Sequence, residues 1–120
     1  MRRRYRNKYK AIKVTYDGIR FDSKLEGARY KVLKMLQEAG EISDLETQVP
    51  YRCDVNGKLI CRYYADFRYK VNERVIVEDT KGVLTHVFNL KKKLVEALYP
   101  DVSIEIVTNP NADVLPKEAA

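Results

Sequence analysis

The first regular pattern of apolar residues in the chain has helical spacing. It runs from Ser23 to Ala39 and would form one buried stripe. The stripe consists of Leu25, Ala28, Val32, Met35, Leu36 and Ala39. Gly40 follows, as is common where a helix ends. Ser23 to Glu26 has the sequence of a capping box, which gives Glu26 a structural role. Glu26 nevertheless lies about 100° around the helix from Leu25, at the edge of the stripe, and could face a sheet.

Two alternating patterns come next and predict a β-hairpin. Apolar and polar residues alternate from Asp44 to Val55 and again from Leu59. Asn56-Gly57 between them is typical of a hairpin turn. A two-residue loop would set apolar against polar faces, whereas a three-residue loop ending at Lys58 puts every apolar residue on one face. The pairs that follow are Val55 with Leu59, Cys53 with Cys61, Tyr51 with Tyr63, Val49 with Ala65, Gln48 with Asp66, and Glu46 with Arg68.

A third strand, a second helix and a last strand complete the pattern. The strand from Arg74 to Lys81 contains three consecutive apolar residues, which is typical of a central strand buried on both faces. A helix is predicted from Thr85 to Tyr99, and a short strand from Val102 to Val107. The buried residues of this helix would be Val87, Leu90, Leu94 and Leu98. The order α-β-β-β-α-β predicts an α/β fold with a mixed central sheet and helices on both faces.

The net charge of +6 comes from one end of the chain. Residues 1–10 hold six of the 23 basic residues and no acidic one, which leaves 17 basic and 17 acidic residues elsewhere. The six are Arg2, Arg3, Arg4, Arg6, Lys8 and Lys10, with Tyr5 and Tyr9 between them. A basic flexible arm with aromatic residues suits a phosphate backbone and stacked bases. The alternative is a disordered tail that only improves solubility.

The remaining composition indicates one domain of a cytosolic protein. A length of 120 residues suits a single domain, which we place at residues 11–108, with a loose tail at 109–120. No run of about 18 apolar residues could span a membrane, and the N-terminus lacks the apolar segment of a secretory signal. Cys53 and Cys61 have neither zinc-site nor redox spacing, so we interpret them as reduced core residues.

Asp66 and Asp79 carry the clearest candidate chemistry. If Asn72-Glu73 forms the turn before the third strand, the two aspartates lie directly opposite each other. Such a pair repels unless a cation lies between its members, and oxygen ligands of this kind suit Mg²⁺ or Mn²⁺. Lys81 shares a face with Asp79. Its positive charge would lie where a phosphate oxyanion and an attacking water come together. The structural alternative is a strand-end charge or an ion pair with Arg68.

Other groups add less to this chemistry. His86 is the only histidine, so no Ser-His-Asp or Cys-His arrangement competes, and we predict that it lies in the first turn of the second helix. Thr80 would offer its backbone carbonyl to the metal. Lys91 falls on the inner edge of the second helix, where it could reach a DNA phosphate or only extend past the core to solvent.

Two segments together resemble the signature of the PD-(D/E)XK nucleases. Tyr64-Ala65-Asp66-Phe67 contains the first acid, and Asp79-Thr80-Lys81 corresponds to (D/E)XK. Ala65 replaces the proline of the signature, which is tolerable because proline in a paired strand would remove a ladder hydrogen bond. Glu26, in a helix ahead of the sheet, resembles the third acid of the Holliday-junction resolvases in that superfamily. From about Lys8 to Val107, the chain is also similar to a group of small phage-encoded proteins.

The resemblance implies a metal-dependent DNA endonuclease with a restriction-endonuclease-like core. Glu26, Asp66 and Asp79 would bind one or two Mg²⁺ or Mn²⁺ ions, and Lys81 would orient water and stabilise the pentacoordinate phosphate. Gln48 is a possible supporting residue, from the hairpin register alone. The expected substrate is branched DNA such as a Holliday junction, cut by a homodimer in the cytoplasm of a bacterial host. The alternatives are a sequence-specific or nicking endonuclease and a non-catalytic nucleic-acid-binding module on the same fold.

Overall fold

The structure is a computed structural model that describes residues 12–114. Its elements are β1 (Val14–Tyr16), β2 (Ile19–Phe21), α1 (Lys24–Glu38), β3 (Ser43–Val55), β4 (Lys58–Val71), β5 (Arg74–Thr80), α2 (His86–Leu98) and β6 (Ile104–Val107). The predicted basic arm, residues 1–10, lies outside the described residues. Within the described range, no helix is long and apolar enough to cross a membrane.

Four strands form the main sheet, in the order β3-β4-β5-β6. The pairs β3–β4 and β4–β5 are antiparallel, and β6 pairs with β5 in parallel. The sheet is therefore mixed, and the predicted order α-β-β-β-α-β is confirmed from α1 to β6. β5 has a neighbour on each side, as its run of apolar residues predicts. Both predicted helix starts are confirmed, since Ser23 caps α1 and Thr85 caps α2.

The sequence prediction lacks the small hairpin formed by β1 and β2. Its turn is Asp17-Gly18, and both residues have left-handed backbones, with φ angles of 53° and 74°. Asp-Gly between alternating residues is a strong signal for such a turn. The hairpin packs closely on α1, since a Cβ atom on Gly27 would clash with a methyl carbon of Val14.

The predicted register of the β3–β4 hairpin is confirmed from Glu46–Arg68 to Cys53–Cys61, except that Gln48 and Asp66 do not pair in the sheet, and the predicted turn is wrong. Val55 pairs with Lys58 instead of Leu59, so the turn contains only Asn56 and Gly57. Both have left-handed φ angles, 51° and 80°, as the tight turn of an Asn-Gly hairpin requires. A shift between Cys53 and Asp54 then restores the predicted register, as a β-bulge does. The paired cysteines are free thiols, as predicted.

The buried faces of both helices differ from the prediction by about one residue. α1 buries Glu26, Gly27, Arg29, Tyr30 and Leu33, and leaves Met35 61% exposed. α2 buries Phe88 and Val95, and leaves Leu90 68% exposed. Apolar spacing identified the helices but not the correct face, because neighbouring faces both carry apolar residues. On α1, the buried face is the one whose charged residues have partners in the sheet.

Two apolar clusters lie on opposite faces of the sheet, one under each helix. The α1 cluster contains Phe21, Tyr30, Leu33, Ile42, Phe67, Tyr69, Val71 and Ile76. The α2 cluster contains Val49, Tyr51, Cys53, Tyr63, Ala65, Val77, Phe88, Val95 and Ile104. Ile76 and Val77 are consecutive in β5 and therefore point to opposite faces. The prediction of helices on both faces is thus confirmed.

The hairpin changes face in its middle, contrary to the prediction that its apolar residues share one face. Ala65 belongs to the α2 cluster and Phe67 to the α1 cluster, although alternate residues of a regular strand point the same way. Asp66 lies between them. On β3, Gln48 has a left-handed φ angle of 52° at the corresponding point. Such irregularities re-aim side chains and are common next to active sites.

A buried ion pair joins α1 to β5 and holds the end of the described chain. The Arg29 guanidinium donates to both carboxylate oxygens of Glu78, at 2.8 and 2.7 Å, and Tyr69 donates its hydroxyl to the same carboxylate. Arg29 also donates to the carbonyl oxygens of Pro110 and Ala112, at 2.9 and 2.6 Å. The prediction of a loose tail from residue 109 therefore does not hold for residues 109–112, which are fixed to the core.

Arg29→Met should lower the free energy of unfolding by about 3–5 kcal/mol, because it leaves the Glu78 carboxylate buried without its cation. Arg29→Met/Glu78→Gln should recover part of this loss, since glutamine is uncharged and still accepts from Tyr69. Urea unfolding followed by circular dichroism measures both. A loss below about 1 kcal/mol in the single variant, or a double variant no more stable than the single one, would contradict this account of the ion pair.

Candidate active site

The structure brings together the four predicted catalytic residues at one end of the sheet. Glu26 lies in the first turn of α1, Asp66 in β4, Asp79 in β5, and Lys81 directly after β5. Two adjoining clefts, of about 440 and 420 Å³, expose the group. Glu26, Asp66 and Lys81 line the first cleft, and Asp66, Asp79 and Lys81 line the second. Lys91, the predicted DNA contact on α2, lines the second cleft as well.

Glu26 serves the helix cap and also reaches the sheet. Its backbone N–H donates to the Ser23 hydroxyl at 3.1 Å, as a capping box predicts. Its buried carboxylate accepts from the backbone N–H of Asp22 at 2.9 Å and from the side-chain amide of Gln48 at 2.7 Å. The structural role and the predicted position at the sheet therefore coexist in one residue.

Asp66 is held by Thr80 at the point where β4 changes face. One carboxylate oxygen of Asp66 accepts from both the backbone N–H and the hydroxyl of Thr80, each at 2.8 Å. The prediction assigned only the carbonyl of Thr80, so it missed this contact. Arg68, the alternative partner considered for the aspartates, pairs with Glu46 at 2.7 Å. The strand register ends at Phe67–Glu78, one step short of the predicted pair of aspartates.

Asp79 is buried, and only one of its two carboxylate oxygens accepts a hydrogen bond. Tyr63 donates its hydroxyl to the Oδ2 atom of Asp79. The Oδ1 atom lies 3.1 Å from the Lys81 ammonium, but this ion pair lacks hydrogen-bond geometry, and Oδ1 has no hydrogen-bond partner among the described residues. The same ammonium lies 4.6 Å from the centre of the Phe88 ring. Tyr63 and Phe88 could not be predicted at the site, since both match a core pattern.

Burial and neighbouring negative charge disfavour the ionised form of both aspartates. Burial, followed by the charge of Glu26, raises the pKa of Asp66 to about 7. Burial, followed by the charge of Asp66, raises the pKa of Asp79 to about 7. Burial beside Asp79 also raises the pKa of Tyr63, so that this hydroxyl remains a hydrogen-bond donor. A cluster of this kind gains stability from any cation that enters it.

Gln48 holds one of the candidate residues, Glu26, from a strained backbone. Its φ angle of 52° lies in the left-handed region, which costs a non-glycine residue on the order of 1–3 kcal/mol. Its amide donates to Glu26, and it lines the cleft with Asp66 and Asp79. Strain that is retained next to a cleft supports the predicted supporting role of Gln48.

The donor set fits a hard divalent cation bound chiefly between Asp66 and Asp79. Carboxylate oxygens are the ligands that Mg²⁺ and Mn²⁺ prefer, and the unpartnered Oδ1 atom of Asp79 is available to such an ion. Between residues 12 and 114, no three His, Cys, Asp or Glu side chains already converge as a finished metal site. Glu26, which Gln48 and Asp22 hold, lines the first cleft together with Asp66.

Without divalent cations, the free energy of unfolding should fall as the pH rises from about 4 to about 7. Folded Asp66 and Asp79 stay protonated in this window, whereas the unfolded chain has already lost these protons. Each of the two groups therefore favours the folded state below its raised pKa, and this contribution is lost as the pH rises through that pKa. Asp79→Asn removes one of the two carboxyl groups that must ionise in the folded protein at high pH. This variant should therefore be more stable than the wild type at pH 8.

Urea unfolding in EDTA across this pH range checks the expectation, with the exposed Asp54→Asn as the matched control. The difference between Asp79→Asn and wild type should grow with pH, and this growth should exceed any change in the difference between Asp54→Asn and wild type. Parallel curves for wild type and Asp79→Asn would contradict the raised pKa of Asp79.

The comparison with known families adds a match over most of the chain. A family model described as "Protein of unknown function (DUF1064)" matches residues 6–112. This range includes Glu26, Asp66, Asp79 and Lys81. Searches of the curated proteins and of the solved structures each gave no match. The extent of the family match shows that the chain belongs to the DUF1064 family.

Proposed function

We propose that this protein is a divalent-metal-dependent endonuclease that hydrolyses phosphodiester bonds in DNA. The observation that carries the proposal is the pair of half-buried Asp66 and buried Asp79 in a cleft, with the Lys81 ammonium 3.1 Å from Asp79. Groups whose pKa is raised by burial and like charge in a cleft are typical of functional sites. The order of helices and strands supports a restriction-endonuclease-like core, and the residues resemble the PD-(D/E)XK signature.

Mg²⁺ or Mn²⁺ is the proposed cofactor. Asp66 and Asp79 would hold the ion, with Glu26 and the carbonyl of Thr80 as further ligands. A bound ion supplies Lewis-acid polarisation of the phosphate and offsets its negative charge. Burial and like charge raise the pKa of both aspartates. A bound cation would favour their ionised forms and so lower the pKa of both again.

The chain's own groups would divide the remaining work. Lys81 would orient the attacking water and stabilise the negative charge that develops on the phosphate oxygens. Tyr63 holds Asp79 in one orientation through its hydroxyl, and Gln48 does the same for Glu26. Fixed donors and acceptors of this kind need no reorganisation during the reaction, which is the main contribution of a protein to such chemistry.

Branched DNA is the substrate that we propose. Outside the first ten residues, basic and acidic residues balance, so selectivity would depend on DNA shape and backbone geometry. Two matched cuts at a four-way junction would require two copies of the site, for which a symmetric homodimer is the simple solution. The basic arm would add contacts to phosphates. The resemblance to phage-encoded proteins supports a role in the cytoplasm of a bacterial host.

The main alternative is a nucleic-acid-binding module without catalysis. Two contacts favour this alternative, that of Lys81 with Asp79 and that of Thr80 with Asp66. They give the aspartate oxygens partners without a metal ion. Such a module would bind DNA and leave it intact with Mg²⁺ or Mn²⁺. A sequence-specific or nicking endonuclease would keep the chemistry but differ in substrate preference.

Asp66→Asn, Asp79→Asn and Lys81→Ala should each abolish Mg²⁺-dependent cleavage and leave DNA binding largely intact. Removing a ligand or the cation beside it takes away stabilisation of the transition state, whereas the contacts with the DNA backbone remain. Labelled four-way junction, duplex and single-stranded DNA, with Mg²⁺ or EDTA, serve as substrates. The wild type should cut the junction in preference to the duplex.

Asp54→Asn is the matched control, because Asp54 is an exposed aspartate on β3 that pairs with Arg52. It should cleave like the wild type. Glu26→Gln separates the two roles of that residue: a loss of about 1 kcal/mol in stability with normal cleavage identifies a helix cap alone. Full cleavage by Asp79→Asn would refute the proposed active site.

A further inference from the structure

Tyr64 is the aromatic residue that the fold leaves unburied. Among the aromatic residues between positions 12 and 114, only Tyr64 is more than half exposed, at 51%. It lies in β4, where its cross-strand neighbour is the exposed Pro50. An exposed ring gains little from burial, so core packing does not explain this residue.

The position of Tyr64 relates it to the candidate active site. Tyr64 lines the same cleft as Asp66, Asp79, Lys81 and Lys91. It precedes Asp66 by two residues on β4, which corresponds to about 7 Å along a strand. If one phosphate of a DNA strand lies at the aspartates, an adjacent nucleotide would therefore lie next to this ring.

Two basic side chains line the same cleft. Arg62, two residues before Tyr64 on β4, and Lys91 on α2 both line the cleft. Neither forms an ion pair with another residue of the described chain. The Tyr64 ring and these two basic side chains form an arrangement typical of sites for single-stranded nucleic acids. In such sites, bases stack on aromatic side chains and basic groups follow the backbone.

We propose that Tyr64 stacks on an unpaired base next to the phosphate that is cut, and that Arg62 and Lys91 bind neighbouring phosphates. This inference rests on the proposed endonuclease function and names its substrate class, which is DNA with unpaired nucleotides at the cleavage point. In an intact duplex, each base is stacked between its neighbours and offers only its edges. An open branch point or a single strand supplies the free face that a tyrosine ring requires.

Fluorescence anisotropy in EDTA measures binding without cleavage. The probes are a single DNA strand, the same strand with abasic sites throughout, and a duplex of the same sequence. Tyr64→Ala should bind the ordinary strand roughly 5- to 140-fold more weakly than the wild type. Its binding to the abasic strand and to the duplex should be unchanged. Tyr64→Phe keeps the ring and should bind all three probes like the wild type.

Ile60→Ala is the control for loss of an exposed apolar side chain, because Ile60 is 57% exposed on the same strand and does not line the cleft. Urea unfolding verifies that each variant is folded. Normal binding of the ordinary strand by Tyr64→Ala would overturn the proposal. Equal weakening on the ordinary and abasic strands would also overturn it, because the lost contact would then not involve a base.

Cleavage by the wild type decides the proposed function separately. A protein that cuts DNA with Mg²⁺ but binds normally after Tyr64→Ala keeps the endonuclease assignment and loses the stacking proposal. A protein that shows the stacking effect but never cuts keeps the stacking proposal and loses the endonuclease assignment.

Discussion

The buried ion pair between Arg29 and Glu78 determines how α1 lies on the sheet. Both side chains are almost completely buried, at 0% and 2% exposure, and two hydrogen bonds join them. Glu26 lies one turn before Arg29 on α1, and Asp79 directly follows Glu78 on β5. The same contact that fixes the helix therefore also fixes the third carboxylate relative to the two aspartates.

β5 buries two consecutive acidic residues that the protein treats differently. Glu78 faces α1 and receives a guanidinium and a tyrosine hydroxyl. Asp79 faces the opposite side, where it has one hydroxyl, one lysine without hydrogen-bond geometry, and a like charge from Asp66. The stable arrangement of Glu78 shows that this fold can compensate a buried acid. The incomplete compensation of Asp79 and Asp66 is thus a local property of the cleft, which supports a functional explanation.

Local signals in the sequence predicted the elements better than they predicted packing. The cap at Ser23, the stop at Gly40 and the presence of β3 and β4 depend on neighbouring residues, and each is confirmed. The buried faces of α1 and α2 depend on contacts with distant residues, such as that of Arg29 with Glu78. Spacing alone does not contain that information. The missed hairpin of β1 and β2 is different, because Asp17-Gly18 was a usable signal.

The candidate site followed from the strand register, which brought Asp66 near Asp79 and put Lys81 beside Asp79. Gln48 also emerged from the register, and its amide contacts Glu26. The contribution of Tyr63 could not be predicted, because the hairpin changes face at Asp66 and the tyrosine matches an apolar pattern. The exposure of Tyr64 likewise depends on the folded arrangement and not on its sequence neighbours.

The central claim is that Asp66 and Asp79 together bind a divalent cation. Isothermal titration calorimetry of the full chain with Mn²⁺ at pH 8, where most of both carboxylates are ionised, tests it without requiring a substrate. The account predicts saturable binding to the wild type and to Asp54→Asn, and its loss in Asp66→Asn/Asp79→Asn. Absence of saturable binding to the wild type, or unchanged binding to the double variant, would contradict it.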